Sequence, residues 1–330
     1  MKKNKYFLLM IVMVLTFISP RLVKANNMEF SISPILNNRQ LPDVTNYFDM
    51  TLNPNEESNV GIRIYNDDDK PHTYELSIEN SFSNRNGIID YTENDMHYIQ
   101  LPALKEIATA DKEISTEAHS TRDVPIKLRL PDKPFNGTIL GGIRVREKDV
   151  KKEEGQIVNR YNYLIPLRIR QGEQNYPEEL IFKETKVKLG NYYSDLEVVL
   201  ENTQPVMLKD MKVKITIEPK NTKQRQLVLF DKKIRMAPET VSHLLMKLNE
   251  EKLKAGPHLV TVTAKGKTFE KTWESTIEIA KKEAKQINHN IVEKKEENDS
   301  RSNWWIYLLV VLVLSQMMYI LIQRRRHHDK

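Results

Sequence analysis

The sequence predicts an all-β fold for most of this chain of 330 residues, and three observations carry that prediction. Apolar side chains recur at every second position in many short runs, such as the run from Val124 to Leu130. Polar turn signals, among them Asn86-Gly87 and Gly256-Pro257, separate these runs. Stretches with helical periodicity are scarce. Runs with one apolar and one polar face are typical of antiparallel sheets that pack one face on a core.

The first element along the chain is a targeting segment at residues 1–25, MKKNKYFLLMIVMVLTFISPRLVKA. It has a basic lead, an apolar stretch from Tyr6 to Ile18, and small or apolar residues before a cleavage point at Ala25. This pattern predicts a secretory signal peptide, with the mature chain starting at Asn26. The alternative is an uncleaved anchor helix, which the shortness of the apolar run and the following Pro20 disfavour.

The alternating runs divide into two domains, residues 26–173 and 176–282. Between them lies a polar stretch from Gln171 to Pro177, which holds glycine and proline and follows a complete strand. Each domain has the size of an immunoglobulin-like module, so we expect two tandem immunoglobulin-like β-sandwiches. The segment from Leu244 to Lys254 fits either a short amphipathic helix or a strand followed by a loop.

A charged stalk at residues 283–303 and a transmembrane helix at 304–322 are expected to end the chain. The stalk is mostly Lys, Glu and Asn and has few apolar residues to bury, so it is expected to be solvated. The uncharged helix, at about 1.5 Å per residue, nearly covers a hydrocarbon core of about 30 Å. Trp304 and Trp305 mark its outer end, and Arg324 to Arg326 open a cytoplasmic tail at 323–330. These features predict a single-pass protein of the cell membrane, with its ectodomain outside the cell and within the cell wall.

The composition narrows the compartment and the partners. A secreted chain without cysteine cannot use disulfides, which is common in surface proteins of Gram-positive bacteria and uncommon in animal ectodomains. The net charge of +6 is spread over a chain in which 29% of residues are charged. This mild excess favours anionic wall polymers electrostatically. Because no basic stripe is interleaved with aromatic residues, nucleic acid is not expected as a partner.

Patterns that carry catalysis or bind metals are missing from the sequence. The eight histidines are scattered without metal-ligand spacing, and Asp67 to Asp69 lack the glycine and distal glutamate of a calcium loop. The sequence also has no nucleophile elbow and no phosphate loop. We therefore expect a non-enzymatic protein with no cofactor and no metal. A wall-lytic enzyme is the weaker alternative, in which carboxylates such as Asp49, Glu75 and Asp90 would be the acid and base.

Two aromatic clusters are the first candidates for ligand binding. Exposed aromatic rings flanked by polar groups suit sugars, because a ring stacks on the apolar face of the sugar while polar groups take its hydroxyls. The alternative is that these rings fill the sandwich core, and the residues alone do not decide between the two. The clusters are Tyr47, Phe48 and Asp49, and Tyr161, Asn162 and Tyr163.

A glycine pair, Gly141 and Gly142, lies inside the predicted strand FNGTILGGIRV at residues 135–145, in a chain with only 10 glycines. Glycine there weakens a strand and packs nothing, so the pair needs a reason. The alternation of apolar residues is expected to break at the pair. One interpretation is a β-bulge at a sheet corner, and the other is a groove in which a glycan or a partner strand lies against bare backbone.

Some stretches also carry a family resemblance: Ser33-Pro34-Ile35-Leu36, Tyr47-Phe48-Asp49-Met50, Asn86 to Tyr91, Phe135 to Ile143, Tyr161 to Tyr163, Met236-Ala237-Pro238-Glu239, and Leu253 to His258. The stretches up to Tyr163 resemble the N-terminal module of the WxL-interacting protein family, and the later ones resemble its second module. The resemblance implies a peptidoglycan-binding module followed by a host-binding module. It also implies secreted WxL-domain proteins of the cell wall as partners.

Together these features predict a membrane-anchored bacterial surface protein that attaches to peptidoglycan and scaffolds WxL-type surface proteins, host ligands such as matrix proteins, or both. The alternative function is an assembly chaperone for surface proteins, because tandem immunoglobulin-like domains also suit that task. The candidate ligand-binding residues are Tyr47, Phe48, Asp49, Gly141, Gly142, Tyr161, Asn162 and Tyr163.

Overall fold

A computed structural model describes residues 30–92, 100–148, 161–189, 194–220, 226–248, 253–289 and residue 307. Strands dominate these residues, so the predicted all-β fold is confirmed. The predicted signal peptide, the cytoplasmic tail and, apart from Tyr307, the predicted membrane span lie outside them. Within the described ranges, no helix is both long and apolar enough to cross a membrane.

Two facing sheets form the first sandwich. One has the strand order β1-β3-β9-β7 and the other β2-β11-β10-β4-β8, while β5 and β6 form a separate hairpin. The strand β2 runs parallel to β11, and the other neighbours are antiparallel. The elements, in chain order, are β1 (Phe30–Ile35), β2 (Phe48–Thr51), β3 (Glu57–Asn66), β4 (His72–Asn80), β5 (Phe82–Ser83), β6 (Ile89–Asp90), α1 (Leu104–Ile107), β7 (Ala108–Thr109), β8 (Glu113–Thr116), β9 (Ser120–Arg129), β10 (Gly137–Glu147) and β11 (Asn162–Gln171).

The core of the first sandwich is filled by the apolar side chains that the alternation predicts. Ile62 of β3, Ile126 of β9 and Leu167 of β11 are completely buried between the two sheets. Burial of each such side chain stabilises the fold by about 1.5–3 kcal/mol. The outer faces of the same strands are left for polar and charged residues.

The glycine pair lies in a regular part of β10. The register is continuous on both sides, with Gly141 opposite Leu167 and Gly142 opposite Pro166, so the expected break in alternation and the bulge do not occur. Gly141 faces inward, where a Cβ atom would clash with the Leu104 side chain of α1 and with the backbone of Glu79. The missing side chain therefore lets the short helix α1 pack directly on the strand.

Two further sheets form the second sandwich, with the strand orders β12-β13-β16 and β15-β14-β17-β18. The segment that the sequence left open between helix and strand is extended at its start, since Leu244 to Lys247 belong to β16. The strands are β12 (Ile181–Leu189), β13 (Ser194–Asn202), β14 (Leu208–Pro219), β15 (Leu227–Met236), β16 (Thr240–Lys247), β17 (Gly256–Lys265) and β18 (Glu270–Ile279).

A helix, α2, follows β18 at residues 281–289. The expectation of a solvated stalk from residue 283 is therefore wrong for residues 283–289. Ala284 and Ile287 lie three residues apart on one face of α2, and both are buried in the second core. The side-chain amide of Asn288 donates to the carbonyl of Leu253 at 3.0 Å and accepts from its N–H at 3.0 Å. Two buried apolar residues and one side-chain amide thus attach this segment to the second sandwich, although its polar average composition predicts a solvated chain.

The hairpin of β5 and β6 leaves the first sandwich and docks on the second. At its tip, the carbonyl of Gly87 accepts from Arg235 N–H of β15 at 2.9 Å, and that of Arg85 accepts from Leu245 N–H of β16 at 3.2 Å. These two strands are the edges of the two different sheets. The hairpin therefore bridges both sheets of the second sandwich on one side.

Side-chain and backbone bonds extend this junction. The hydroxyl groups of Ser83 and Thr240 are 2.6 Å apart and buried. The carboxylate of Glu239 accepts from the backbone N–H groups of Gln100 and Leu101 at 3.0 and 3.2 Å. The two sandwiches are thus joined by directional bonds as well as by apolar contact.

A partly buried histidine, His72, connects two carboxylates at one end of the first sandwich. His72 Nδ1 lies 2.6 Å from Glu147 Oε1, and Nε2 lies 2.7 Å from Asp68 Oδ2. Burial lowers the pKa of His72, but the hydrogen bonds and charges of Asp68 and Glu147 outweigh that effect and raise the pKa above its usual value. The charged imidazole, which has two N–H donors, matches the two carboxylates.

We expect His72→Gln to lower the free energy of unfolding more at pH 5.5 than at pH 9. A group whose folded pKa is raised contributes stability fully below its unfolded pKa of about 6.5, and this contribution is lost as the pH rises through the folded pKa. Urea denaturation at the two pH values measures the difference. His119→Gln is the control, since His119 meets a carboxylate on the exposed surface. An equal loss at both pH values would contradict the assignment.

We also expect Gly87→Ala to weaken the junction between the sandwiches. Gly87 has a φ of 73°, and a Cβ atom there would lie 2.5 Å from Ile234 Cγ2. Gly256→Ala is the matched control, because Gly256 also has a positive φ but open space around it. Overpacking adds about 1–3 kcal/mol to the shared backbone strain. Thermal unfolding should therefore show a larger loss for Gly87→Ala, and equal losses would contradict the docking contact.

Candidate functional site

The outer face of the second sheet carries an unusual row of arginines. Along β11, Ile165, Leu167 and Ile169 point into the core, so Arg168 and Arg170 point outward. The parallel neighbour β2 places Asp49 directly beside Arg168. Pairing of β2 with β11 thus brings one carboxylate and two guanidinium groups together on this face.

Asp49 is a buried anion held between these two cations. Its side chain is only 1% exposed. Arg170 binds it with both ends of its fork, Nε to Oδ1 at 3.1 Å and Nη2 to Oδ2 at 2.8 Å, and Arg168 pairs with the same Oδ2. Fork-like pairing of this kind is among the stronger polar interactions in proteins. Because two positive groups share one negative group, the cluster keeps a net positive charge.

Tyr47 adds an aromatic ring to the cluster. The ring is half-buried, and the guanidinium carbon of Arg168 lies 5.8 Å from its centroid. This is a cation–π distance. Burial and the neighbouring charge of Arg170 lower the pKa of Arg168 from its usual value. In the described part of the chain, Arg168 Nε is buried without a hydrogen-bond partner.

The other predicted site residues fall on both sides of the sheet. The side chain of Phe48 is completely buried in the core, and Tyr163 stacks edge-on against Phe30 with centroids 4.8 Å apart. Asp49, Gly142 and Asn162 face outward, and Phe48 and Gly141 face the core. The rings of Tyr47, Tyr161 and Tyr163 are partly buried and pack against the core, and the ring of Tyr47 also lies against Arg168.

The outward residues do not all meet at one point. Asn162 is exposed but lies six positions from Arg168 along β11, roughly 20 Å in an extended strand. The space above Gly142 is taken by the side chain of Leu164, 3.0 Å from the position of a Cβ atom. Tyr47 and Asp49 are thus the predicted residues that the structure brings together.

A cleft of about 460 Å³ lies next to this cluster, between the two sandwiches. Thr138, Arg168 and Arg170 line it from the first sandwich, and the connecting residues 174–179 form its floor. From the second sandwich it is lined by Asn202, Gln204, Lys267 and residues 206–210. The backbone bond from Thr138 N–H to the Pro205 carbonyl, 2.8 Å long, closes one end.

Positive charge gathers on one side of the cleft, in a group of Arg168, Arg170, Lys209 and Lys267 that we call the cationic pole. Partial desolvation lowers the pKa of Lys209 from its usual value, and the charges of Arg168 and Arg170 lower it further. Neither lysine forms an ion pair with another residue that the structure describes. In the described chain both lysines therefore lack a direct ionic partner, although three carboxylates, Glu178, Glu179 and Asp210, also line the cleft.

Two carboxylates of the cleft, those of Glu178 and Glu179, form hydrogen bonds with the second sandwich. Glu178 accepts from the backbone N–H of Thr268 at 2.9 Å. Glu179 accepts from Thr203 Oγ1 at 3.2 Å and from Gln204 Nε2 at 2.5 Å. These donors are uncharged, so both carboxylates serve to hold the connecting segment against the second sandwich.

The arrangement suits binding of a polar ligand with negative charge and a ring to stack. It offers one half-buried aromatic face, a fixed pair of arginines and two lysines on a concave surface. Across the described ranges, no group of three or more His, Cys, Asp or Glu side chains is placed to hold a metal ion. Sequence reasoning missed the cationic pole, although the outward positions of LRIRQ, residues 167–171, already place two arginines on one face.

Comparisons with solved structures return, among others, several chaperones at low sequence identity and low TM-score. The class 5 fimbriae chaperone CfaA matches at 10% identity and a TM-score of 0.30, over 75% of this chain and 98% of its own. The Escherichia coli chaperone DraB matches at 14% identity and 0.29, over 74% and 98%. The Pseudomonas aeruginosa chaperone CupB2 matches at 12% and 0.28, over 66% and 92%. TM-scores this low support no argument, and no curated protein sequence matches the chain.

Family models match almost all of the described chain. The peptidoglycan binding domain of the WxL Interacting Protein family matches residues 30–147, and the host binding domain of the same family matches residues 152–289. The two domains occur in the order that the sequence stretches predict. The chain therefore belongs to the WxL-interacting protein family.

Proposed function

We propose that this protein is a non-enzymatic, membrane-anchored surface protein that holds peptidoglycan with its first sandwich and scaffolds WxL-type surface proteins or host ligands with its second. The family models supply the two binding classes, peptidoglycan and host. The observation that carries the first assignment is the cluster of Tyr47, Asp49, Arg168 and Arg170, whose two arginines line the cleft.

The chemistry of the cluster supports sugar-polymer binding. Tyr47 packs partly on the core and against Arg168, and the exposed part of its ring can contact a sugar face, while the arginines offer N–H groups to hydroxyl and acid oxygens. The cleft volume of about 460 Å³ is in the range of sites that enclose small ligands. A polymer can extend from this cleft along the open outer face of the sheet.

The second sandwich carries a different surface that supports partner binding. Phe182 of β12 and Trp273 of β18 lie on edge strands, with ring centroids 6.2 Å apart. Phe269 adds a third ring 6.3 Å from Trp273, and Lys271 lies over the Trp273 ring. Half-buried aromatic residues beside open strand edges are suited to docking of a protein partner by strand addition.

Anchoring and location belong to the same proposal and rest on the sequence. The basic and apolar segment at 1–25 supports export, and the uncharged run at 304–322 between a Trp pair and an Arg triplet supports a membrane span. We propose that the two sandwiches are immunoglobulin-like modules outside a Gram-positive cell and within its wall. Absence of turnover is part of the proposal, and a clearing zone in a cell-wall zymogram would refute it.

We expect full-length protein in mild detergent to co-sediment with purified sacculi, and Tyr47→Ala to bind them about 3–10-fold more weakly. This change corresponds to about 0.5–1.5 kcal/mol for loss of one aromatic contact. Titration of the bound fraction against the amount of sacculi measures the affinity.

Tyr65→Ala is the matched control for this experiment. Tyr65 is a half-buried tyrosine on the other sheet of the same sandwich, where its hydroxyl lies 3.2 Å from that of Ser33. Equal losses for the two variants would point to general destabilisation and would contradict a binding face at Tyr47. Failure of the unaltered protein to sediment with sacculi would contradict the proposed function itself.

A further inference from the structure

The cationic pole is built from both sandwiches. Arg168 and Arg170 come from β11, Lys209 stands at the start of β14, and Lys267 lies in the turn between β17 and β18. All four side chains line the same cleft. Such convergence of long, flexible cations is unfavourable unless something negative offsets their repulsion.

The carboxylates near the pole equal its cations in number but are not paired with its lysines. Asp49 is shared by both arginines. Glu178 and Glu179, which also line the cleft, accept hydrogen bonds from the second sandwich. Asp210 is exposed and raises the pKa of Lys209, whereas Arg168, Arg170 and Lys267 lower it. Among the described residues, no carboxylate forms an ion pair with Lys209 or Lys267, so both ammonium groups are available to an anionic ligand.

The cleft is formed before any ligand arrives. The hairpin tip at Gly87 and the carboxylate of Glu239 fix the second sandwich against the first. The bond between Thr138 and Pro205 fixes the wall that carries Lys209. A ligand that binds here does not have to order the two domains, which favours affinity.

The chemistry of the pole selects the ligand. Guanidinium and ammonium groups together recognise oxyanions, and the fork of arginine suits the planar or tetrahedral oxygens of a carboxylate or phosphate. The half-buried ring of Tyr47 lies against Arg168 of the pole, and the proposed peptidoglycan binding supplies a sugar-containing polymer as the carrier of the oxyanion. The wall offers both forms, as carboxylates of the peptidoglycan peptide stem and as phosphates of attached polymers.

We propose that the cleft between the sandwiches is a binding site for an oxyanion of the cell-wall polymer, held jointly by Arg168 and Arg170 of the first sandwich and by Lys209 and Lys267 of the second. This inference rests on the proposed peptidoglycan binding and extends it in one respect: the second sandwich contributes directly to holding the wall.

The test is a double variant, Lys209→Gln with Lys267→Gln, in the full-length protein. Both lysines are exposed, so their loss should leave the fold intact. The matched control is Lys220→Gln with Lys254→Gln, which removes the same charge from two exposed lysines. Because β17 spans roughly 30 Å and these lysines flank its far end, the control leaves the cleft unchanged.

Binding is measured on native sacculi and on sacculi from which hydrofluoric acid has removed phosphate-linked polymers. We expect the cleft variant to bind native sacculi about 10–100-fold more weakly than the control variant, since each charge-assisted contact accounts for about tenfold. If this difference persists on stripped sacculi, the oxyanion is a peptide-stem carboxylate. If it disappears there, the oxyanion is a phosphate. Both results support the cleft as the site.

Equal binding of the cleft and control variants to native sacculi would overturn the inference and leave the proposed function standing. Retained wall binding with loss of binding to a protein partner would also overturn it, since the cleft would then recognise a polypeptide. If the unaltered protein fails to bind either kind of sacculus, the proposed function fails and this inference fails with it. Circular dichroism of both variants shows that each comparison concerns folded protein.

Discussion

The docking of one hairpin on two sheet edges is the constraint on which the site depends. The tip at Arg85 to Gly87 bonds to β15 and β16, which belong to different sheets, so the hairpin fixes the second sandwich in position and orientation. Backbone bonds of this kind are directional and tolerate little displacement. Together with the bonds of Thr138 and Glu239, they give Lys209 and Lys267 a defined place relative to Arg168 and Arg170. A cleft between two domains acts as a binding site only when the domains are held in register.

Asp49 shows how the first sandwich presents positive charge outward. A buried carboxylate is costly unless it is paired, and removing one partner of a buried pair costs about 3–5 kcal/mol. Here the Asp49 carboxylate orients the guanidinium groups of Arg168 and Arg170. It neutralises one of their two positive charges, and both groups line the cleft. Asp49 of β2 therefore stabilises the pairing of β2 with β11 and orients the two arginines of β11.

The fold was readable from the sequence because its signal is local. The side-chain alternation that includes Ile165, Leu167 and Ile169 states which face is buried, and it extends back through Tyr163 and Tyr161. Tyr161 and Tyr163 follow this alternation and pack against the core, as Tyr47 does in part, whereas the sequence alone left core and surface open for these rings. The reason for Gly141 could not be read locally, because the side chain that fills its place belongs to α1. The cationic pole could not be predicted for the same reason, since its members come from strands and turns far apart in sequence. The helix α2 was missed because it depends on two apolar residues in a polar segment.

The position of β11 shows that the boundary between the two family domains does not coincide with the boundary of the first sandwich. Family matching places residues 152–289 in the host-binding domain, yet β11, at Asn162–Gln171, completes the sheet of the peptidoglycan-binding sandwich between β2 and β10. A unit ending at residue 147 would lose the strand with which β2 pairs and would expose Ile143 and Val145 of the core. It would also lack both arginines. The complete first sandwich, up to Gln171, is therefore the structural unit that carries Asp49, Arg168 and Arg170, and the family boundary falls inside it.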